Sequence, residues 1–212
     1  MTDLGPEWNL DDEGIPSRKG ARLLIFDASG RVLLIRGHDT HDVDHRWWFS
    51  VGGGIEPGED PLLGAIREAK EETGFDFDPA HVQGPVIHRQ AEFRFRNVLA
   101  RQEEVFYIAR LEIDAPRVAD QSLTALEHET LDEFRWFSAD ELRETASHHL
   151  VYPLCLPDLV ARWEKGWDGV FVDLGADQEG EDYSETPPSS SPHETIVDET
   201  SGKRADAPPS PM

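Results

Sequence analysis

Three carboxylates, Glu68, Glu71 and Glu72, crowd the end of the stretch "GGGIEPGEDPLLGAIREAKEETGF", residues 52 to 75. A glycine-rich loop precedes them. On a helix advancing 100° per residue they span about 100° of the circumference, with the apolar face centred roughly opposite. Glu68 and Glu72 stand at i and i+4, where like charges repel by a few tenths of a kcal/mol. The last turn of a helix is also the wrong end of its dipole for anions. Stability alone does not select that arrangement. Clustered carboxylates short of counter-charge are what hard divalent cations bind: Mg²⁺ takes oxygen ligands, keeps several waters and bridges substrate phosphates. Arg67 lies at i, i+4 from Glu71 and attracts it. From spacing alone, a solvated acidic face is an equally open reading.

These groups need elements to hold them. Residues 60 to 73 read as a helix: Asp60 can cap it, Pro61 suits its first turn and Gly74 its left-handed stop. Leu62, Ala65, Ile66 and Ala69 repeat at helical spacing and give it one apolar face. "ARLLIFDASGRVLLIRG" reads as a hairpin, and "RWWFSVGGG" as a short aromatic strand running into the glycines. "VIHRQAEFRFR" and "EEVFYIARLEI" alternate around a short polar loop, a second and longer hairpin. "DEFRWFS" is a further strand. Ser138 and Glu141 then make a capping box, and a last helix starts near Pro157. Strands outnumber helices, which predicts an α/β fold with helices packed on a mixed sheet.

The bulk numbers narrow the class. A chain of 212 residues suits one domain with appendages. Residues 1–17 are expected to be a flexible N-terminal segment and 18–174 the folded domain. Residues 175–212, rich in acids, proline and serine, are expected to be a disordered tail. The net charge of −23 repels nucleic acid and anionic membranes, so neither is expected as a partner. The acidic N-terminus lacks a basic region followed by an apolar one, so no secretory leader is expected. The single cysteine, Cys155, rules out an internal disulfide framework and fits a cytoplasmic protein.

Gly53, Glu59, Arg67, Glu68, Ala69, Glu71, Glu72, Gly74 and Phe75 fill every fixed position of the pattern Gly-x5-Glu-x7-Arg-Glu-U-x-Glu-Glu-x-Gly-U, where U is apolar. The stretch thus resembles the signature of the nudix hydrolases. Val51 departs from the proline that many relatives carry before the glycines. The resemblance implies an α/β/α sandwich with a mixed β-sheet. It also implies a site for Mg²⁺, or Mn²⁺, that hydrolyses a diphosphate joined to another moiety. Glu68, Glu71 and Glu72 would be ligands or water-activating carboxylates, and the Gly53 carbonyl would complete the metal shell. Arg67 would hold Glu71 or a neighbour in place; Glu59 would brace the loop and Gly74 end the helix. Family members often add one glutamate from a later strand, which makes Glu103 or Glu104 a candidate ligand.

Arg22, Arg94 and Arg96 are candidates for phosphate or base contacts, and Trp48 for stacking on a base. The proline that marks ADP-ribose hydrolases and the extended coenzyme A pattern are both absent. The expected substrate is therefore a nucleoside triphosphate or a nucleoside diphosphate derivative, cleaved at a diphosphate bond by a monomer or homodimer. Two alternatives stay open: a non-catalytic binding module on the same fold, and isopentenyl-diphosphate isomerase, whose chemistry wants a cysteine beside the metal.

Overall fold

In the computed structural model the described residues are 4, 8–95, 98–118, 123 and 125–178. In chain order the elements are β1 (Asn9–Leu10), β2 (Pro16–Phe26), β3 (Val32–Asp39), β4 (Asp42–Gly54) and α1 (Pro61–Thr73). There follow β5 (Gln83–Phe95), β6 (Val98–Arg110), α2 (Ala125–Thr130), β7 (Leu131–Phe137), α3 (Ala139–Ala146), β8 (Leu150–Val151), α4 (Leu156–Trp163) and β9 (Val172–Gln178). The main strands lie in the order β7-β3-β4-β2-β6-β5-β9, with β1 on β2 and β8 on β4. The sheet is mixed: β2 runs parallel to β6 and antiparallel to β4.

Strand β2 explains the layering. From Gly20 to Phe26 every residue is buried, because this strand lies mid-sheet with a helix layer on each face. Its alternate side chains enter different cores. Ala21, Leu23 and Ile25 pack with Ala65 and Ala69 of α1. Leu24 and Phe26 pack with Leu142 of α3 and with Leu156, Val160 and Trp163 of α4. Helices therefore cover both faces, the expected three-layer α/β/α arrangement. No helix among the described residues is long and apolar enough to cross a membrane.

The helix punctuation matches the sequence. The Asp60 carboxylate accepts from the Leu62 and Leu63 amides at 2.9 and 3.4 Å. Gly74 closes α1 in the left-handed region at φ 77°, its N–H donating to the Lys70 carbonyl. Both halves of the Ser138–Glu141 capping box are formed.

Both predicted boundaries move. Within the segment 1–17 expected to be flexible, β1 pairs with Pro16 and Ser17, and Leu4 is buried. At the other end β9 runs to Gln178, past the boundary expected at 174. It pairs in parallel with β5 from Ile87 to Glu92. Backbone pairing to an open sheet edge does not depend on side-chain apolarity, so composition hides such a strand. Val172 and Leu174 also reach the α3–α4 core. The remainder of the expected tail lies outside the described residues.

Candidate active site

The loop after β4 and the helix α1 form one unit, and Arg67 is its hub. Its Nε and Nη2 donate to the two Glu59 oxygens, each at 2.9 Å. Nη1 donates to Glu68 at 2.7 Å and to Glu71 at 3.2 Å, and Nη2 also reaches the Gly54 carbonyl at 3.0 Å. A planar guanidinium can serve this many acceptors in one plane, where an ammonium cannot. The hydrogen bonds to Glu59 raise the Arg67 pKa further above its already high range and hold the Glu59 carboxyl below its usual one. Glu59 also accepts the Glu56 amide at 2.9 Å, so it ties the loop to the helix, in the position expected of a brace.

The three glutamates do not form a solvated acidic face. Glu72 is 3% exposed and Glu68 8%, both beside the buried Ala65 and Ala69 rather than opposite them. Glu72 accepts the Gly52 amide at 2.8 Å. The Glu68 carboxylate lies flat on Gly53; a Cβ there would stand 2.6 Å from Glu68 Oε2, so any side chain would push the carboxylate aside. Glu71 is the outermost, its side chain 45% exposed. Gly52, Gly53, Glu68, Glu71, Glu72 and Glu104 all line one cleft of about 1610 Å³.

Neighbours on β6 divide by strand alternation. Glu104 faces the cleft but is buried between two arginines. Arg22 Nε donates to one of its oxygens, Arg89 Nε to the other at 2.5 Å, and Gln102 Nε2 adds a bond at 3.0 Å. Burial alone would raise its pKa, yet the two guanidinium charges outweigh that and hold it at about 2. Glu103 points to the opposite side, to Lys19 and His88 at 3.3 Å each, and does not line the cleft.

Two substrate-contact expectations change. Trp48 is 3% exposed and packs edge-on against Phe137 in the α3–α4 core, so it has no face to offer a base. Trp47, one residue away on the other face of β4, lines the cleft instead. Arg22 reaches the cleft wall, but its guanidinium serves Glu104 and the carbonyls of Ser50 and Gly52, at 2.9 and 3.1 Å. It braces the strand entering the glycine loop. Arg94 lines the cleft, and Arg96 lies outside the described residues. Cys155 sits at the start of α4, half-buried against the α3–α4 core and away from the cleft lining. Arg89 and Gln102 were missed, although a signal existed. Counting outwards from the Phe95–Val98 pair matches Arg89 with Glu104 and Ala91 with Gln102, as observed.

Among the described residues, no three His, Cys, Asp or Glu side chains converge as a ready-made ion cage. Mg²⁺ does not demand one: it binds through one or two carboxylates plus phosphate oxygens and waters. Carboxylates fronting a roomy cleft meet that need, and Glu68, Glu71 and Glu72 are such a donor set.

A three-layer fold with a helix of fixed carboxylates after a glycine loop defines a class of proteins. Residues 16–155 match the model of the NUDIX domain, and the chain belongs to that family. It is 39% identical over 70 residues to the RNA pyrophosphohydrolase of Bartonella bacilliformis, covering 31% of this chain and 41% of that protein. The RNA pyrophosphohydrolase of Roseobacter denitrificans aligns over 143 residues at 26% identity, covering 61% of this chain and 82% of that protein. The chain spans about two fifths of the length of the Bartonella bacilliformis protein and of several other RNA pyrophosphohydrolases that it matches. Among solved structures, the MutT protein of Methanosarcina mazei Go1 superposes with a TM-score of 0.45 at 20% identity, over 70% of this chain and 93% of that one.

Proposed function

We propose that the protein is a divalent-metal-dependent pyrophosphohydrolase acting on a nucleoside triphosphate or a nucleoside diphosphate derivative. The observation that carries the reading is Arg67, which gathers Glu59, Glu68, Glu71 and the Gly54 carbonyl beside the Glu72–Gly52 contact. One guanidinium offsets only one of the four carboxylates Glu59, Glu68, Glu71 and Glu72, and the negative charge left over at the cleft favours a cationic ligand. Glu68, Glu71 and Glu72 would hold Mg²⁺ or Mn²⁺, with the Gly53 carbonyl as a further donor. The ion would supply neutralisation of the phosphates and acidification of water. The chain's own part is to fix the carboxylates in advance, so that little reorganisation is needed during reaction.

The signature's retention of every glutamate supports an enzyme over a binding module. Cys155 is not among the residues that line the cleft, which counts against the isomerase. A second reading, a 5′-phosphorylated RNA end, is favoured by the size of the cleft. Its 1610 Å³ exceeds the roughly 300–1,000 Å³ of ordinary small-ligand sites. The relatives named RNA pyrophosphohydrolase bear on the same reading.

The test is release of phosphate or pyrophosphate after exhaustive chelation and again with Mg²⁺ or Mn²⁺ restored. The panel would hold nucleoside triphosphates, nucleotide sugars, dinucleoside polyphosphates and a 5′-triphosphorylated RNA oligomer. Activity is expected only with metal, and on a nucleotide without an RNA chain. Full turnover in chelator would reject the metal mechanism, and turnover of the RNA alone would select the second reading.

A further inference from the structure

The family match starts at residue 16, yet the cleft does not. Leu4, Trp8 and Asn9 line it together with the carboxylates. The segment carrying Trp8 is held by a built network. Asp11 closes a turn by accepting the amides of Glu13 and Ile15 at 2.9 Å each. Arg101, on β6, then clamps that turn, bonding Asp11 at 2.9 Å, Glu13 at 2.7 Å and Glu92 of β5 at 2.9 Å. Strand β1 adds backbone pairing to β2. These bonds anchor the segment that follows Trp8 to the sheet.

The indole itself is set in a cation–aromatic cluster. The Arg18 guanidinium lies over its ring, 4.5 Å from the centroid. The Phe93 and Trp8 rings form a T-shaped pair, with centroids 6.3 Å apart and planes at 72°. Trp8 is half-buried, and all three residues line the cleft. Packing alone would place such an apolar ring in a core. Here it stands half-buried at the wall of a polar cleft, on a segment anchored to the sheet, where a planar group can stack on it.

We propose that Trp8, backed by Arg18 and Phe93, is the base-stacking subsite of this cleft and takes the nucleobase of a nucleotide substrate. The inference rests on the proposed function in its choice of ligand class. It places a specificity residue outside the segment that matches the family. Stacking of a base on an aromatic side chain is sequence-tolerant, so the subsite selects for a base over none rather than for one base over another.

The test reads binding, not turnover. The methylene-bridged analogues of ATP, GTP, CTP and UTP, and inorganic tripolyphosphate as the base-free control, are titrated into the full chain with Mg²⁺. Calorimetry is the readout for the parent, Trp8→Ala and Trp8→Phe. Trp8→Ala is expected to weaken the nucleotide analogues about ten- to hundredfold, with tripolyphosphate changed less than about twofold. Trp8→Phe, which keeps an aromatic face, should recover most of the loss. The parent's indole N–H resonance of Trp8, assigned by its absence in Trp8→Phe, should move with the nucleotides and not with tripolyphosphate. That measurement reads the subsite even if Trp8→Ala does not fold. Equal weakening of both ligand types would overturn the proposal, as would an unmoved resonance or no nucleotide binding to the parent up to about 1 mM. A parent that binds the analogues through Trp8 but hydrolyses none of the panel would instead reject the proposed activity and leave the subsite standing.

Discussion

Glu72 is held by the architecture at the place where the proposed reaction calls for a carboxylate. It is buried, near the negative end of the α1 dipole, one turn from Glu68, and it accepts the Gly52 amide. Glu72→Gln keeps an oxygen for that amide and removes the repulsion. Its melting temperature in metal-free buffer should stay within about 2 °C of the parent, while turnover falls about a hundredfold or more. Glu72→Ala should differ by losing stability as well, about 1–3 kcal/mol, because a buried N–H is left without an acceptor. An active Glu72→Gln enzyme would return this residue to a purely structural role. Glu104 is the converse case. Buried between Arg22 and Arg89, it compensates two guanidinium charges. Glu104→Ala should cost about 3–5 kcal/mol and lower the melting temperature by roughly 10 °C, checked by thermal unfolding without metal. A shift under about 2 °C would show that the arginines find other partners.

The helix α1 and its loop are specified locally, and their ends are where the specification can be tested. Asp60→Ala removes the side-chain oxygen that caps the Leu62 and Leu63 amides, and should cost about 1 kcal/mol. Gly74→Ala forces a Cβ into the left-handed region at φ 77° and should cost about 1–2 kcal/mol. The two sites are at opposite ends of a 13-residue helix with no shared partner, so the double variant should show the sum within about 0.5 kcal/mol in urea unfolding. A clear shortfall from the sum would mean that the helix melts as a unit separate from the sheet, because its own stability then caps the loss.

Across the whole molecule, the folded unit extends past the match to the family at both ends. Strand β9 contributes Val172 and Leu174 to the α3–α4 core, and Asp173 bonds His88 at 3.2 Å. Two truncations separate its role from that of the acidic segment after it. A chain ending at Gln178 should keep the parent's melting temperature and turnover, since the residues removed have a composition that builds no core. A chain ending at Phe171 should melt several degrees lower, because β5 loses its neighbour and becomes a bare sheet edge. Equal melting temperatures for the two would show that β9 adds nothing to the fold. A turnover loss of more than about tenfold in the longer chain would show that the acidic segment touches the site or a partner.

The sequence by itself determined the parts that depend on neighbours in the chain. The helix with its caps, the carboxylate spacing, the Arg67–Glu71 pair and the two hairpins all follow from side-chain periodicity and local hydrogen bonding. Tertiary structure alone decided what those groups face. Helical spacing placed the glutamates away from the apolar side, but the sheet behind the glycine loop is close enough to bury Glu68 and Glu72. Which of two adjacent tryptophans meets the cleft depends on which face of β4 turns towards α3 and α4, and that put Trp48 in their core and Trp47 at the cleft. The pairing of Glu104 with Arg22 needs the parallel β2–β6 contact, 82 residues apart in the chain. The positions of Trp8 and β9 are of the same kind. Each is fixed by backbone pairing or ion pairs to a sheet that forms from distant segments, and neither hydrophobic period nor composition carries that information.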